Sequence, residues 1–215
     1  MNNILIKVEN LVKTFGGLVA LNDCSLEIKD KAITGIIGPN GSGKTTLFNV
    51  ITGNLKPDTG KVFYNGVEIT NEESHDLFHL GVLRTFQIAH EFSNMTVIEN
   101  LMVVPGNQKG EKLLYSLMNS QKIKKEDELI KDKAMEVLKF LKIEHLKNER
   151  AGNLSGGQKK LLELARTMMV DAKIVFLDEV GAGVNKTLLR DISDSILKLN
   201  QDKGYTFCMI EHDFN

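Results

Sequence analysis

Three short stretches hold residues whose types and spacing suit work on phosphate groups. Gly38–Thr45, reading GPNGSGKT, fits the pattern GxxxxGK[ST] in full and stands between an apolar run, AITGII, and a helix expected to begin near Lys44. In that context the glycines let the main-chain N–H groups of Asn40, Gly41, Ser42, Gly43, Thr45 and Thr46 close around phosphate oxygens. Lys44 reaches the outer two phosphates, and the Thr45 hydroxyl can ligate Mg²⁺. KIVFLDE, ending at Glu179, is an apolar strand that delivers two carboxylates: Asp178 to hold the magnesium shell and Glu179 to orient or deprotonate an attacking water. Alone, such an acidic pair is commonly a solvated loop; beside a phosphate loop it gains a purpose.

The third stretch is NLSGGQKKLLELAR. Leu154, Ser155, Gly156, Gly157 and Gln158 open a run in which Leu161, Leu164, Ala165 and Met168 recur at helical spacing, with Ser155 where a cap belongs. Bare N–H groups at a helix start, next to glycines, make a second anion site. A chain that already has a complete phosphate loop has no evident phosphate of its own to place there.

These groups need a scaffold that brings them together. Residues 4–8 and 18–28 alternate apolar with polar, and KPDTGKVFYNGVEI places two short strands around an Asn65-Gly66 turn, so the first part reads as antiparallel sheet. AITGII, GVLRTF, KIVFL and YTFCMI read as buried strands. Each run ends near a polar group: the phosphate loop, Gln87, Asp178 with Glu179, and Glu211 with His212. Open α/β sheets bind ligands just outside the carboxyl ends of their strands, so an α/β fold would converge these ends on one place.

Between Gln87 and Leu154 the composition turns to Lys, Glu, Leu and Met with helical periodicity, which reads as a helical part spanning 88–170 between sheet segments 1–87 and 171–215 of one domain. The mixed charges of KIKKEDELIKDK suit a solvated helix face. A net charge of −1 over 215 residues argues against broad attraction to nucleic acid or anionic lipid. No apolar run approaches the length needed to span a bilayer, and the N-terminus has no export-signal pattern, so a cytoplasmic chain is expected. Cys24 and Cys208, set in apolar strands, read as buried reduced thiols, and Met168 and Met169 as core. His75 and His79 stand four apart but have no third ligand nearby.

The order of motifs (phosphate loop, Gln87, LSGGQ, acidic strand, His212) resembles that of ABC-type ATPases over essentially the whole chain. The resemblance implies a P-loop NTPase core of RecA-like type with an antiparallel β-subdomain and an inserted α-helical subdomain. It implies that Gln87 senses the metal and the attacking water, that His212 contacts the terminal phosphate, and that Phe15 stacks on adenine. It also answers the question of the second phosphate. In that family two such domains sandwich two ATP molecules head to tail, and LSGGQ of one closes over the γ-phosphate held by the other. A helix terminus stabilises an anion by about 0.3–2 kcal/mol, whereas association costs about 4–15 kcal/mol of lost freedom. One contact cannot close such a dimer; two, with the buried surface around them, can.

FGGLVAL, GVLRTFQ, MTVIENL and IEHD further resemble the ATP-binding subunits of branched-chain amino-acid importers, the LivG-like branch. This implies ATP and Mg²⁺ as ligands, a second ATPase subunit and membrane permeases as partners, location at the inner face of the cell membrane, and no direct nucleic-acid binding. Val180 and Lys186 stand where prolines are usual in that branch, predicting a looser loop from Gly181 to Asn185. Relatives continue beyond Asn215 through further strands and a helix, so an exposed sheet edge is expected here. The competing readings are an ABC-type ATPase acting on DNA or ribosomes, and a nucleotide-binding module without productive turnover.

Overall fold

The computed structural model describes residues 3–85, 91–106, 120–181 and 184–211. Contacts divide the chain into two compact units, one of 1–87, 172–182 and 196–215, the other of 88–171 and 183–195.

The first unit contains two sheets. In the antiparallel sheet the order is β2-β1-β4-β5, with β1 Ile4–Phe15, β2 Leu18–Lys29, β4 Thr59–Tyr64 and β5 Val67–Glu68. The β1–β2 hairpin turns at Gly16-Gly17 and the β4–β5 hairpin at Asn65-Gly66, the two-residue turn its sequence announces. The second sheet has the order β3-β8-β7-β6, with β3 Ile33–Ile37, β6 Val82–Arg84, β7 Ile174–Asp178 and β8 Thr206–Glu211. Its strand pairs are all parallel. The carboxyl ends of these strands therefore point the same way, as the polar strand ends require. β7 is buried along its whole length, which explains why its sequence is a continuous apolar run and not an alternating one.

The core of this unit joins both sheets to α1, Lys44–Ile51, through Leu5, Ile6, Val62, Phe48, Ile174 and Phe176 among others. Phe48 meets Phe176 edge to face at 4.9 Å between ring centroids, fixing α1 against β7. The short α2, Ser74–His79, carries His75 and His79, whose Nε2 atoms lie 3.3 Å apart. Among the described residues no group of three metal-ligating side chains includes them. Cys208 is buried, and burial pushes its thiol up to about 12; Cys24 is only half-buried, short of the full burial expected from its strand. No helix among the described residues is long and apolar enough to cross a membrane.

The second unit is helical: α3 Val97–Met102, α4 Ser120–Phe140, α5 Gly156–Met168 and the first part of α6, Lys186–Lys203. α4 displays the mixed-charge run to solvent and buries Ala134, Val137 and Leu138. α5 buries Leu161, Leu164, Ala165 and Met168 as its spacing predicts, and Leu162 as well. Lys133 donates from Nζ to the Met169 carbonyl at 2.9 Å, placing a cation at the carboxyl end of α5 where the dipole favours it.

Asn100 organises the entry to α3. Its side chain is fully buried; Oδ1 accepts from the Phe92 N–H at 2.8 Å, and Nδ2 donates to the carbonyls of Phe92 at 3.1 Å and Thr96 at 2.9 Å. Substituting Asn100→Ala removes the side-chain partners of the Phe92 N–H and carbonyl, while the Thr96 carbonyl keeps the N–H of residue 100, and a loss of about 2–3 kcal/mol is expected. A fall in the urea midpoint measures it; an unchanged midpoint would mean that solvent reaches Phe92 in the native state.

Candidate functional site

Built from the first unit alone, the site begins with the loop between β3 and α1. α1 starts at Lys44 without any side-chain cap and without an acidic residue in its first turn, leaving its amino end suited to an anion. Ser42 N–H donates to Pro39 O at 3.3 Å, folding the loop over itself, and Lys44 Nζ donates to the carbonyls of Gly38 at 2.7 Å and Pro39 at 2.8 Å. The lysine ammonium is thus held across the loop mouth by neutral acceptors, which a charged phosphate outcompetes.

Two glycines of this loop have left-handed backbone, for different reasons. At Gly43 (φ 88°) a Cβ would lie 2.3 Å from the Ala20 carbonyl oxygen, so the loop packs directly against the backbone of β2. Gly41 (φ 80°) has open space around it.

A pocket of about 460 Å³ is lined jointly by Phe15, Leu18, Val19 and Ala20 of the β1–β2 hairpin, the loop and helix residues Asn40 to Thr46, and Glu179. Phe15 is 48 % exposed on the pocket wall, which leaves its ring accessible to a planar group. Asp58 braces the two residues that precede Phe15 in β1: the Asp58 carboxylate accepts from Lys13 Nζ at 2.8 Å and from Thr14 N and Oγ1, both at 2.7 Å. These hydrogen bonds, the one from Lys13 foremost, hold the Asp58 carboxyl down to about 2. Lys13 Nζ in turn lies 5.8 Å from the Phe15 ring centroid.

Asp178 ends β7 and Glu179 follows it with φ 49°, in the left-handed region that costs a non-glycine residue about 1 kcal/mol or more. The Glu179 N–H donates to Ile210 O at 3.1 Å, so the parallel neighbour β8 pins the turn that swings the second carboxylate to the pocket wall. Asp178 Oδ2 pairs with Arg84 Nη2 at 2.8 Å, with side chains 8 % (Arg84) and 0 % (Asp178) exposed. Arg84 Nη1 donates to Asn49 Oδ1. Asp178 Oδ1 is buried and has no hydrogen-bond partner among the described residues. An orphaned carboxylate oxygen, with the Thr45 hydroxyl supplied by α1, suits a hard divalent cation that completes its shell with water and phosphate oxygens. Magnesium therefore fits these residues.

Gln87 and His212 lie outside the described residues. The signature residues belong to the second unit. There Ser155 and Gln158 form a capping box: Gln158 N–H donates to Ser155 Oγ at 3.4 Å and Ser155 N–H to Gln158 Oε1 at 2.9 Å. The helix start is consequently not bare, as its glycines suggest, but partly satisfied by its own side chains. Gly156 has open space, whereas a Cβ on Gly157 would lie 2.1 Å from Leu188 Cδ2, so this glycine serves helix packing within the unit. Leu154 is buried beneath them. Asn185 Oδ1 accepts from Leu188 N–H at 2.9 Å and caps α6; residues 182 and 183, in the loop expected to be looser, lie outside the described residues.

Sequence reasoning passed over Leu18, Val19 and Ala20, whose exposure on a hairpin has no local signal, and Arg84 and Asn49, which are far apart in the chain. Arg84 sits inside GVLRTFQ, where a charged residue in an otherwise apolar strand was the available clue.

Comparison with known proteins agrees with this geometry. The family model described as ABC transporter matches residues 21–182. A probable branched-chain amino acid transport ATP-binding protein, LivG, of Methanocaldococcus jannaschii is 46 % identical over 208 residues, covering 97 % of this chain and 80 % of that one. The crystal structure of the ADP conformation of an ABC-transporter ATP-binding cassette superposes with a TM-score of 0.82 at 44 % identity, over 99 % of this chain and 82 % of that one. A dimeric cassette in a post-hydrolysis state, bound to ADP and Pi, superposes with a TM-score of 0.78 at 25 % identity, over 97 % and 88 % of the two chains. With a phosphate loop, an acidic strand end and an aromatic platform joined in one α/β core, and with these relatives, the chain belongs to the ABC transporter family and is an ABC-type ATPase.

Proposed function

We propose that this ATPase energises import of branched-chain or other hydrophobic amino acids, working as one of two nucleotide-binding subunits beneath membrane permeases at the cytoplasmic face. The observation that carries the nucleotide part is the single pocket shared by Phe15, Asn40–Thr46 and Glu179. The LivG-type relative supports the choice of cargo class.

In this reading residues 1–87 and 171–215 hold the nucleotide, and 88–170 present the signature. Phe15 stacks on the base; the N–H groups from Asn40 to Thr46 and the Lys44 ammonium grip the phosphates. Magnesium, when bound, offsets the charge of the phosphates, and Thr45, Asp178 and Gln87 hold it. Glu179 accepts a proton from water as the water oxygen bonds to the γ-phosphorus; the bond from that phosphorus to the bridging oxygen breaks, leaving ADP and inorganic phosphate. His212 steadies the terminal phosphate.

Leu154, Ser155, Gly156, Gly157 and Gln158 of the second subunit close over that phosphate. The long capping bond from Gln158 to Ser155 is cheap to exchange, at about 1 kcal/mol for a cap, so the Ser155 hydroxyl can turn to a phosphate across the dimer. That a similar cassette is dimeric with ADP and Pi bound supports the pairing of two such subunits.

Turnover in liposomes carrying the permease subunits tests the assignment. ATP hydrolysis is expected to rise on assembly and to drive isoleucine or leucine uptake, while added DNA or ribosomes leave it unchanged. Stimulation by nucleic acid without any permease effect would reverse the reading.

A further inference from the structure

The two residues placed to hold magnesium stand on separate elements, Thr45 in the first turn of α1 and Asp178 at the end of β7. A metal shell tolerates little variation in the separation of its donors. The edge-to-face packing of Phe48 on Phe176 sets one element against the other, and orienting the polar side chains themselves takes hydrogen bonds and ion pairs made to them. Arg84 bridges the same two elements with directional bonds. Its Nη2 donates to Asp178 Oδ2 at 2.8 Å, and its Nη1 to Asn49 Oδ1. Asn49 is four residues beyond Thr45, on the same face of α1. The guanidinium also lies 5.9 Å from the Phe48 ring centroid, which limits its movement.

We infer that Arg84 is a positioning residue for the magnesium shell: its planar fork sets the Thr45 side of α1 against Asp178 and leaves Asp178 Oδ1 as the oxygen available to the ion. This inference rests on the ATPase reading and goes beyond it, because Arg84 is not among the residues that line the pocket. A lysine at this position keeps the positive charge that the buried Asp178 requires but offers one point contact in place of a two-armed fork. Partners that orient a metal ligand from outside its shell commonly contribute 10–100-fold in metal affinity. By contrast, the phosphates are gripped by main-chain N–H groups and Lys44, which the fork does not contact.

The test uses Mn²⁺ as the probe, counted as free ion by electron paramagnetic resonance in the presence of saturating ADP, and isothermal titration of ADP in EDTA. Arg84→Lys is expected to bind Mn²⁺ about ten-fold more weakly than the parent chain, with ADP affinity in EDTA and the melting temperature nearly unchanged. Asn49→Ala, which cuts only the arm to α1, is expected to weaken Mn²⁺ in the same direction, and adding it to Arg84→Lys to cause little further loss, since both remove one strut. Should Arg84→Lys fail to fold, Asn49→Ala decides alone. Parent-like Mn²⁺ affinity in the folded variants overturns the inference, as does an equal loss of metal-free ADP affinity, which marks general damage. A parent chain that binds neither ADP nor Mn²⁺ would instead overturn the ATPase reading itself.

Discussion

Glu179→Gln is expected to bind ATP as tightly as the parent chain, to lower steady-state turnover by about 10²–10⁴-fold, the range a positioned general base contributes, and to accumulate as a dimer in ATP. The amide keeps the size and hydrogen-bonding reach of the carboxylate while being unable to take a proton from water. Binding should survive because the groups proposed to grip the phosphates, from Asn40 to Thr46, are separate from Glu179 on the pocket wall. Folding should survive too. The left-handed backbone at Glu179 is held by its N–H bond to Ile210 O and by the burial of β7, and a glutamine meets the same backbone constraint. Dimer accumulation follows by mass action, since a ligand that is not consumed continues to favour the state that binds it. Phosphate release and light scattering in ATP are the measurements. Turnover equal to the parent's would remove Glu179 from the chemistry.

The second large effect is expected at Gly43. Gly43→Ala places a methyl 2.3 Å from the Ala20 carbonyl oxygen and 3.2 Å from Leu21 Cδ2, on backbone with φ 88°. No rotamer relieves a clash between Cβ and a main-chain oxygen, so the loop or the β2 backbone must shift. A cost of about 3 kcal/mol is expected from overpacking together with left-handed strain. In the proposed function the displaced atoms are N–H donors to phosphate, so ADP affinity should fall by about 100-fold or more, the penalty for misplacing preorganised groups by an ångström. Gly41→Ala is the control. It has similar backbone, φ 80°, but open space, so only the conformational cost of about 1–2 kcal/mol applies. Melting curves and titration with a fluorescent ADP analogue distinguish the two, an extrinsic probe being needed because the chain has no tryptophan. Equal behaviour of the two variants would show that packing against β2 does not shape the loop.

Much of the fold was legible because its determinants are local. The alternation of β2 from Cys24 to Lys29, the Asn65-Gly66 turn, the unbroken apolar run of β7 and the helical spacing after Ser155 each follow from neighbours in the chain, whereas β1 departs from the alternation expected over residues 4–8, since Leu5 and Ile6 are both buried. The capping box of α5 was latent in Ser155 and Gln158, three apart, yet glycines between them suggested a bare anion site. One sequence cannot separate a glycine needed for ligand approach from one needed for packing. Gly156 and Gly157 read alike until Leu188, thirty-odd positions away, is seen against the second of them.

By itself the sequence determined which groups are present: a complete phosphate loop, an acidic strand end, a signature helix and the parallel-sheet pattern that turns strand ends to one side. Those are properties of contiguous residues, governed by backbone sterics, periodicity and capping. Only the tertiary structure decided which groups meet. It set Phe15 and Glu179 on the pocket of the phosphate loop, and it buried Arg84 between Asn49 and Asp178. The physical reason is that a pairing of charges or a clash of atoms depends on distances of a few ångströms between residues far apart in the chain, and those distances exist only once α1, β6 and β7 have packed.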